Sequence, residues 1–262
     1  MKKNVFVLQI LGVLGVVLIL VKLNLFGVGN VILENPDNGC VSEEVIKKDP
    51  NLIQKNLFLI DKKQILNNLI SRYSCLKDME IKYSFPKKLK INIRVRDPIA
   101  KINSYNTQTP KTLNDLSLEE ASSAALLDWN FPGDNSDESL VVDDSGYIFK
   151  KMNDEPLPTL FVKGDALKLG QRLDEPTFNK ISKIFEKIKN MEISFQKAKL
   201  DDETLLIESN PKVTFSLSGD TFRQLASLQL ILQEAKINGK VIQIIDLRFD
   251  KPVVAYTSKK NG

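Results

Sequence analysis

The chain has 262 residues, 42% of them apolar and 27% charged, enough for one large or two small domains with a buried core. Its formal net charge of +4 is too small to argue for a nucleic-acid partner. It contains no histidine, which excludes Ser-His-Asp and Cys-His nucleophile systems, HExxH sites and most zinc chemistry. No catalytic residue, metal ligand, cofactor or small-molecule substrate is expected.

After a short basic start (residues 1–4), an apolar run extends from Val5 to Val21, broken only by Gln9. As a helix it would span about 26 Å against a hydrocarbon core of roughly 30 Å, and Leu23 and a snorkelling Lys22 shorten the gap. The expectation is one transmembrane helix over 5–23 that contacts the lipid bilayer. A cleaved signal peptide is the rival; the run is long for one, and no A-x-A-like site follows it. Lys2 and Lys3 favour a cytoplasmic amino terminus, with the rest of the chain outside a cytoplasmic membrane.

From residue 26 to Leu33 the sequence reads as a strand. A Pro/Asp/Asn/Gly turn follows, and Ser42 can cap a short helix with Glu43 and Glu44 in its first turn. Asp61 with Gln64 three residues on is a capping-box-like start for a second helix, whose Ile65, Leu66, Leu69, Ile70 and Tyr73 recur at helical spacing. Then Met79, Ile81 and Tyr83 alternate with polar residues. Beyond a Phe85-Pro86-Lys87-Lys88 turn, Leu89, Ile91, Ile93 and Val95 do the same, so period two predicts an antiparallel hairpin packed on helices. The order is β-α-α-β-β over 25–102.

Cys40 and Cys75 are the only cysteines, both in this unit. In an exported domain a lone pair invites a disulfide, which would stabilise the fold by about 4 kcal/mol in the chain-entropy model. The alternative is two unrelated buried thiols. Without CxxC spacing a catalytic pair is disfavoured.

Residues 103–139 form an acidic insert, expected to be mostly flexible. Between Asn103 and Gly146 nine Asp/Glu stand against Lys111 alone. Its apolar knot includes the sole tryptophan, Trp129, and Phe131; it is either a docking peptide or a flap packed on its own domain, and the flap is favoured.

Residues 140–257 read as a mixed β-sheet domain with helices, before a short tail (258–262). Leu140–Phe149 is strand, Ser-Gly turn and strand; Leu157–Val162 and Leu167–Leu173 follow. Asp174 caps a helix with Phe178, Ile181, Ile184, Phe185 and Ile188 on one face. Strands at Ile193–Leu200, Thr204–Glu208 and Lys212–Leu217 lead to a helix from Asp220, expected to turn Phe222, Leu225, Leu228, Ile231 and Leu232 inward and to stop at Asn238-Gly239. The last strands are Gln243–Phe249 and Val253–Tyr256. The fold class is therefore α+β, with one membrane helix.

The string Asn56-Leu-Phe-Leu-Ile-Asp61, the hairpin from Phe85-Pro86 and the ending Arg94-Val-Arg-Asp-Pro-Ile-Ala100 resemble the POTRA domain of the bacterial cell-division family FtsQ/DivIB. The chain departs from the family in placing Asp97 where arginine is favoured before the proline. The pieces Val142-Asp143 to Phe149, Leu157-Pro158 and Ile245-Asp-Leu-Arg-Phe249 are also similar to that family, and anchor, POTRA domain and β domain occur in its order. The resemblance implies a divisome scaffold at the septum that binds bitopic partners like FtsB/DivIC and FtsL and couples the ring to peptidoglycan synthesis. It further implies that Arg248, Phe249 and Tyr256, with Val253 and Val254 of the last strand, fall where partner contacts lie. An unpaired final strand would recruit a partner strand by main-chain hydrogen bonds. Against this, Phe249 and Val254 could simply be core.

Two other functions compete. A pilus or secretion scaffold shares the topology but not the Phe-Pro hairpin or the IDLRF ending. A cell-wall hydrolase would need paired carboxylates, for which Asp143-Asp144 and Asp201-Asp202-Glu203 are candidates, yet both lie at predicted turns.

Overall fold

The computed structural model describes residues 27–35, 40–49, 52, 61–84, 87–106, 129–132, 139–152 and 156–257, in two compact units that divide between Arg96 and Asp97. The expected fold class is corrected on its membrane helix. The described residues form mixed β-sheets with four helices, and none of those helices is long and apolar enough to cross a membrane. The two longest have 16 and 17 residues, and the first of them carries four lysines. The run 5–23, on which the membrane helix was expected, lies outside the described residues, as do residues 56–60, Phe85-Pro86, most of the acidic insert and the tail 258–262.

The first unit runs β1 (Asn30–Leu33), α1 (Glu43–Lys47), α2 (Lys62–Arg72), β2 (Leu76–Ser84) and β3 (Lys88–Val95). The sheet order is β1-β3-β2. β1 lies parallel to β3, and β2 pairs antiparallel with β3 from Ser84↔Lys88 to Leu76↔Val95. Alternation puts Met79, Ile81, Leu89, Ile91 and Ile93 in one core with Ile65 and Leu69 of α2. Each such side chain contributes roughly 1.5–3 kcal/mol when fully buried. Asp61 caps α2, its Oδ1 accepting from the amides of Lys63 (3.0 Å) and Gln64 (3.1 Å). Ser42 stands at the N-cap of α1 but makes no side-chain cap bond.

The second unit contributes β4 (Pro98–Tyr105), β5 (Ser139–Asp143), β6 (Ile148–Met152), β7 (Thr159–Lys163), α3 (Glu175–Asn190), β8 (Phe195–Asp201), β9 (Thr204–Ser209), β10 (Lys212–Ser216), α4 (Thr221–Ile237), β11 (Ile242–Asp246) and β12 (Val253–Tyr256). They build one nine-stranded sheet, order β12-β11-β10-β9-β8-β7-β4-β5-β6. This corrects the expected boundary at 102. β4 belongs to the second unit because Ala100 and Ile102 are fully buried in its core, with β5 and β7 as neighbours. The expected strand 167–173 is absent too; only an isolated bridge joins Arg172 to Tyr147.

Register explains the two faces of the sheet. Ile102, Leu160, Ala198, Ile207, Val213, Ile245 and Val254 lie opposite one another from β4 to β12 and pack in one core with the buried stripes of α3 and α4. The neighbouring row, Phe161, Lys199, Leu206, Thr214, Asp246 and Val253, points to the opposite face. α3 carries its five predicted apolar residues inward, and the Asp174 side chain accepts from the Thr177 amide at 3.0 Å. In α4, Leu225 and Leu228 are buried, but Phe222 is 82% exposed, contrary to expectation. At about 100° per residue Phe222 lies roughly 120° from the centre of the buried stripe. Gly239, at φ 62°, follows the helix in the left-handed region.

Candidate strand-docking edge

β12 is the terminal strand of the sheet. It pairs antiparallel with β11, and no strand covers its other side among the described residues. Thr257 donates its amide to Val241 O at 2.9 Å. Backbone groups alternate along a strand, so those of Ala255 and Val253 also point toward β11, while Val254 and Tyr256 turn their N–H and C=O to the open edge. A one-residue shift in β11 between Ile242 and Ile244 leaves β12 itself continuous. The edge thus offers two donors and two acceptors at the two-residue spacing of an incoming strand.

The expected site residues divide into three kinds. Phe249 is 47% exposed and Tyr256 46%, so neither is core. Val254 packs partly against the core, on the face it shares with Tyr256, and Val253 is half-buried on the other face. Arg248 is committed within the chain. Its Nη2 donates to Asp246 Oδ2 at 2.7 Å, its Nε reaches both carboxylate oxygens, and its amide donates to Oδ1. Asp246 is fully buried, and the Arg248 side chain is 23% exposed. The Arg248 guanidinium also lies 5.3 Å from the Phe249 ring centre, and Lys240 sits 5.1 Å from that of Tyr256. A buried carboxylate therefore fixes the arginine, which in turn flanks the exposed phenylalanine.

Asp246 was not singled out from the sequence. Its position two residues before Arg248 at a strand end was the available signal, since such residues share a face. The exposed apolar side chains Phe222, Leu230, Ile237 and Val241 were missed as well; a periodic pattern reveals which face is buried, not which apolar residues stay outside it.

Cys40 and Cys75 are joined in a disulfide, with Cα atoms 5.8 Å apart. The bridge ties the segment before α1 to the turn before β2, beside Arg96, whose Nε and amide donate to Ser74 O (3.1 Å) and Cys75 O (2.9 Å). From the insert, Trp129–Pro132 lie on the sheet's second face: Phe131 meets Phe161 edge-on at 6.4 Å, Lys199 Nζ donates to Asn130 O at 3.1 Å, and Lys212 lies over the Trp129 ring.

Of the acidic residues weighed for catalysis, Asp143, Asp201 and Asp202 make contacts within the fold. Asp143 is buried and its Oδ1 accepts from the Ser145 amide and hydroxyl and the Tyr147 amide, closing the β5–β6 turn around Gly146 at φ 75°. Asp201 and Asp202 pair with exposed Lys163, whose ammonium pKa is raised chiefly by the hydrogen bond to Asp201. Compared with known proteins, the chain matches no family model and no curated sequence.

Proposed function

We propose that this chain is a non-catalytic scaffold of the bacterial divisome, working on the outer side of the cytoplasmic membrane at the division septum. It binds bitopic partners resembling FtsB/DivIC and FtsL and so links the division ring to septal peptidoglycan synthesis. The observation that carries this reading is the open edge of β12, flanked by half-exposed Phe249 and Tyr256. An incoming partner strand would hydrogen-bond to Val254 and Tyr256, and the two aromatic side chains would select its sequence. The FtsQ/DivIB-like order of motifs supports the assignment, and the Cys40–Cys75 bridge fits an oxidising compartment.

Two experiments test it. A functional fluorescent fusion at the amino terminus should form a band at the division site; a uniform or polar signal would remove the septal assignment. Tyr256→Glu should weaken the complex with an FtsB-like partner and leave the fold intact, because the side chain is half-exposed. Unchanged affinity would remove Tyr256 from the interface.

A further inference from the structure

The second unit contains a cleft of about 620 Å³, lined entirely by residues between 97 and 195. It lies where β4 and β8 begin, beside α3. In the sheet, β8 is four strand positions from β12, roughly 19 Å away at the usual strand spacing, so the cleft is separate from the β12 edge.

Its walls are mostly apolar: Ile99, Leu157, Phe185, Ile193 and Phe195 line it beside Ser182 and Ser194, and the Phe185 and Phe195 rings stand 4.8 Å apart. Both strands that enter it are irregular at that point. The register of β4 on β5 shifts between Pro98 and Ala100, and that of β8 on β9 between Phe195 and Lys197. Such shifts interrupt the ladder and re-aim a side chain, a device concentrated at sheet ends and functional sites. The lining also carries two exposed carboxylates, Asp97 and Glu186, and one lysine, Lys189.

Mostly apolar walls with an excess of exposed carboxylates complement an occupant that is apolar and positively charged. We infer that this cleft is a second docking site, which takes an extended segment of another protein bearing apolar side chains flanked by lysine or arginine. The apolar side chains fill the space over Phe185 and Phe195, and the cationic ends meet Asp97 and Glu186. Lining by Pro98, Pro156 and Pro158 keeps the walls stiff, so little ordering is needed on binding.

The test uses the full chain and the peptide Lys-Leu-Phe-Pro-Leu-Arg with an uncharged fluorophore, read by anisotropy, beside a control with glutamate at both charged positions. The basic peptide should bind and the acidic control should not. Raising the salt concentration should weaken binding, and Asp97→Lys with Glu186→Lys should weaken it roughly three- to tenfold. Tyr256→Glu should leave it unchanged, which keeps this result independent of the β12 interface. A photoreactive phenylalanine in the peptide should crosslink to Ile99, Leu157 or Phe195. Equal binding of the acidic control, indifference to salt and charge reversal, or crosslinks on β12 would overturn the inference. Self-association that covers the cleft in sedimentation would also overturn it, by making a second copy of the chain the occupant.

Discussion

Asp246 and Arg248 hold each other at the end of β11 through three side-chain contacts between guanidinium and carboxylate, of which Nη2 to Oδ2 at 2.7 Å is the shortest. The carboxylate is buried, so removing the arginine strands a charge out of water. Arg248→Ala should therefore cost about 3 kcal/mol, the lower end for breaking a buried pair, because the guanidinium keeps some solvent contact. Urea unfolding checks this, and an unchanged midpoint would contradict it. The residue positions the Phe249 loop, and a binding defect in Arg248→Ala must be separated from this loss of stability.

The disulfide closes 35 residues of sequence separation in the first unit. In the chain-entropy model Cys40→Ser with Cys75→Ser lowers the stability of that unit by about 4 kcal/mol. Denaturant titrations with and without a reductant measure it. A reductant-insensitive midpoint in the wild-type chain would show the bridge to be unimportant for stability.

Asp78, on β2, has its carboxyl held below the usual carboxylate range, first by the Met79 amide and, against some burial, by the hydrogen bond and charge of Arg94. A folded pKa below the unfolded one contributes stability that is present above about pH 4 and lost as the pH falls through the folded value. Asp78→Asn should cost about 0.2–1 kcal/mol at neutral pH, as for a solvent-accessible pair. Below both pKa values the variant and the wild type should converge. A cost that persists undiminished in acid would assign the effect to packing.

Trp129 is the only tryptophan, so its emission reports the segment seated on the sheet's second face. Phe131→Ala removes the contact with Phe161 and exposes part of that seat. Emission should shift to the red and acrylamide should quench it more readily. An unaltered spectrum would mean that Phe131 does not hold the segment.

The parts of this fold that follow from local periodicity were legible in the sequence. The inward face of α3, the Asp61, Asp174 and Asp220 caps and the β2–β3 hairpin each depend on residues close together in the chain. What was not legible is non-local. Pro98–Tyr105 was not read as a strand, its first part being assigned to the end of the first unit and its last to the insert, because its place between β5 and β7 depends on partners 38 to 58 residues away. The same holds for the site: the Ile245–Phe249 string and the last strand were visible, while the edge position of β12, a property of sheet order, was expected only from the family resemblance. Phe222 failed for a different reason, since an apolar residue at a helix start fits a buried or an exposed place equally well.

The most direct measurement is residue-resolved hydrogen exchange on the chain alone and with the extracytoplasmic part of an FtsB-like partner. Strand addition predicts that the amides of Val254 and Tyr256, which face the open edge, gain protection in the complex. The Ala255 amide, already directed to β11, should change little. A complex that forms with no added protection at Val254 and Tyr256 would contradict docking at β12.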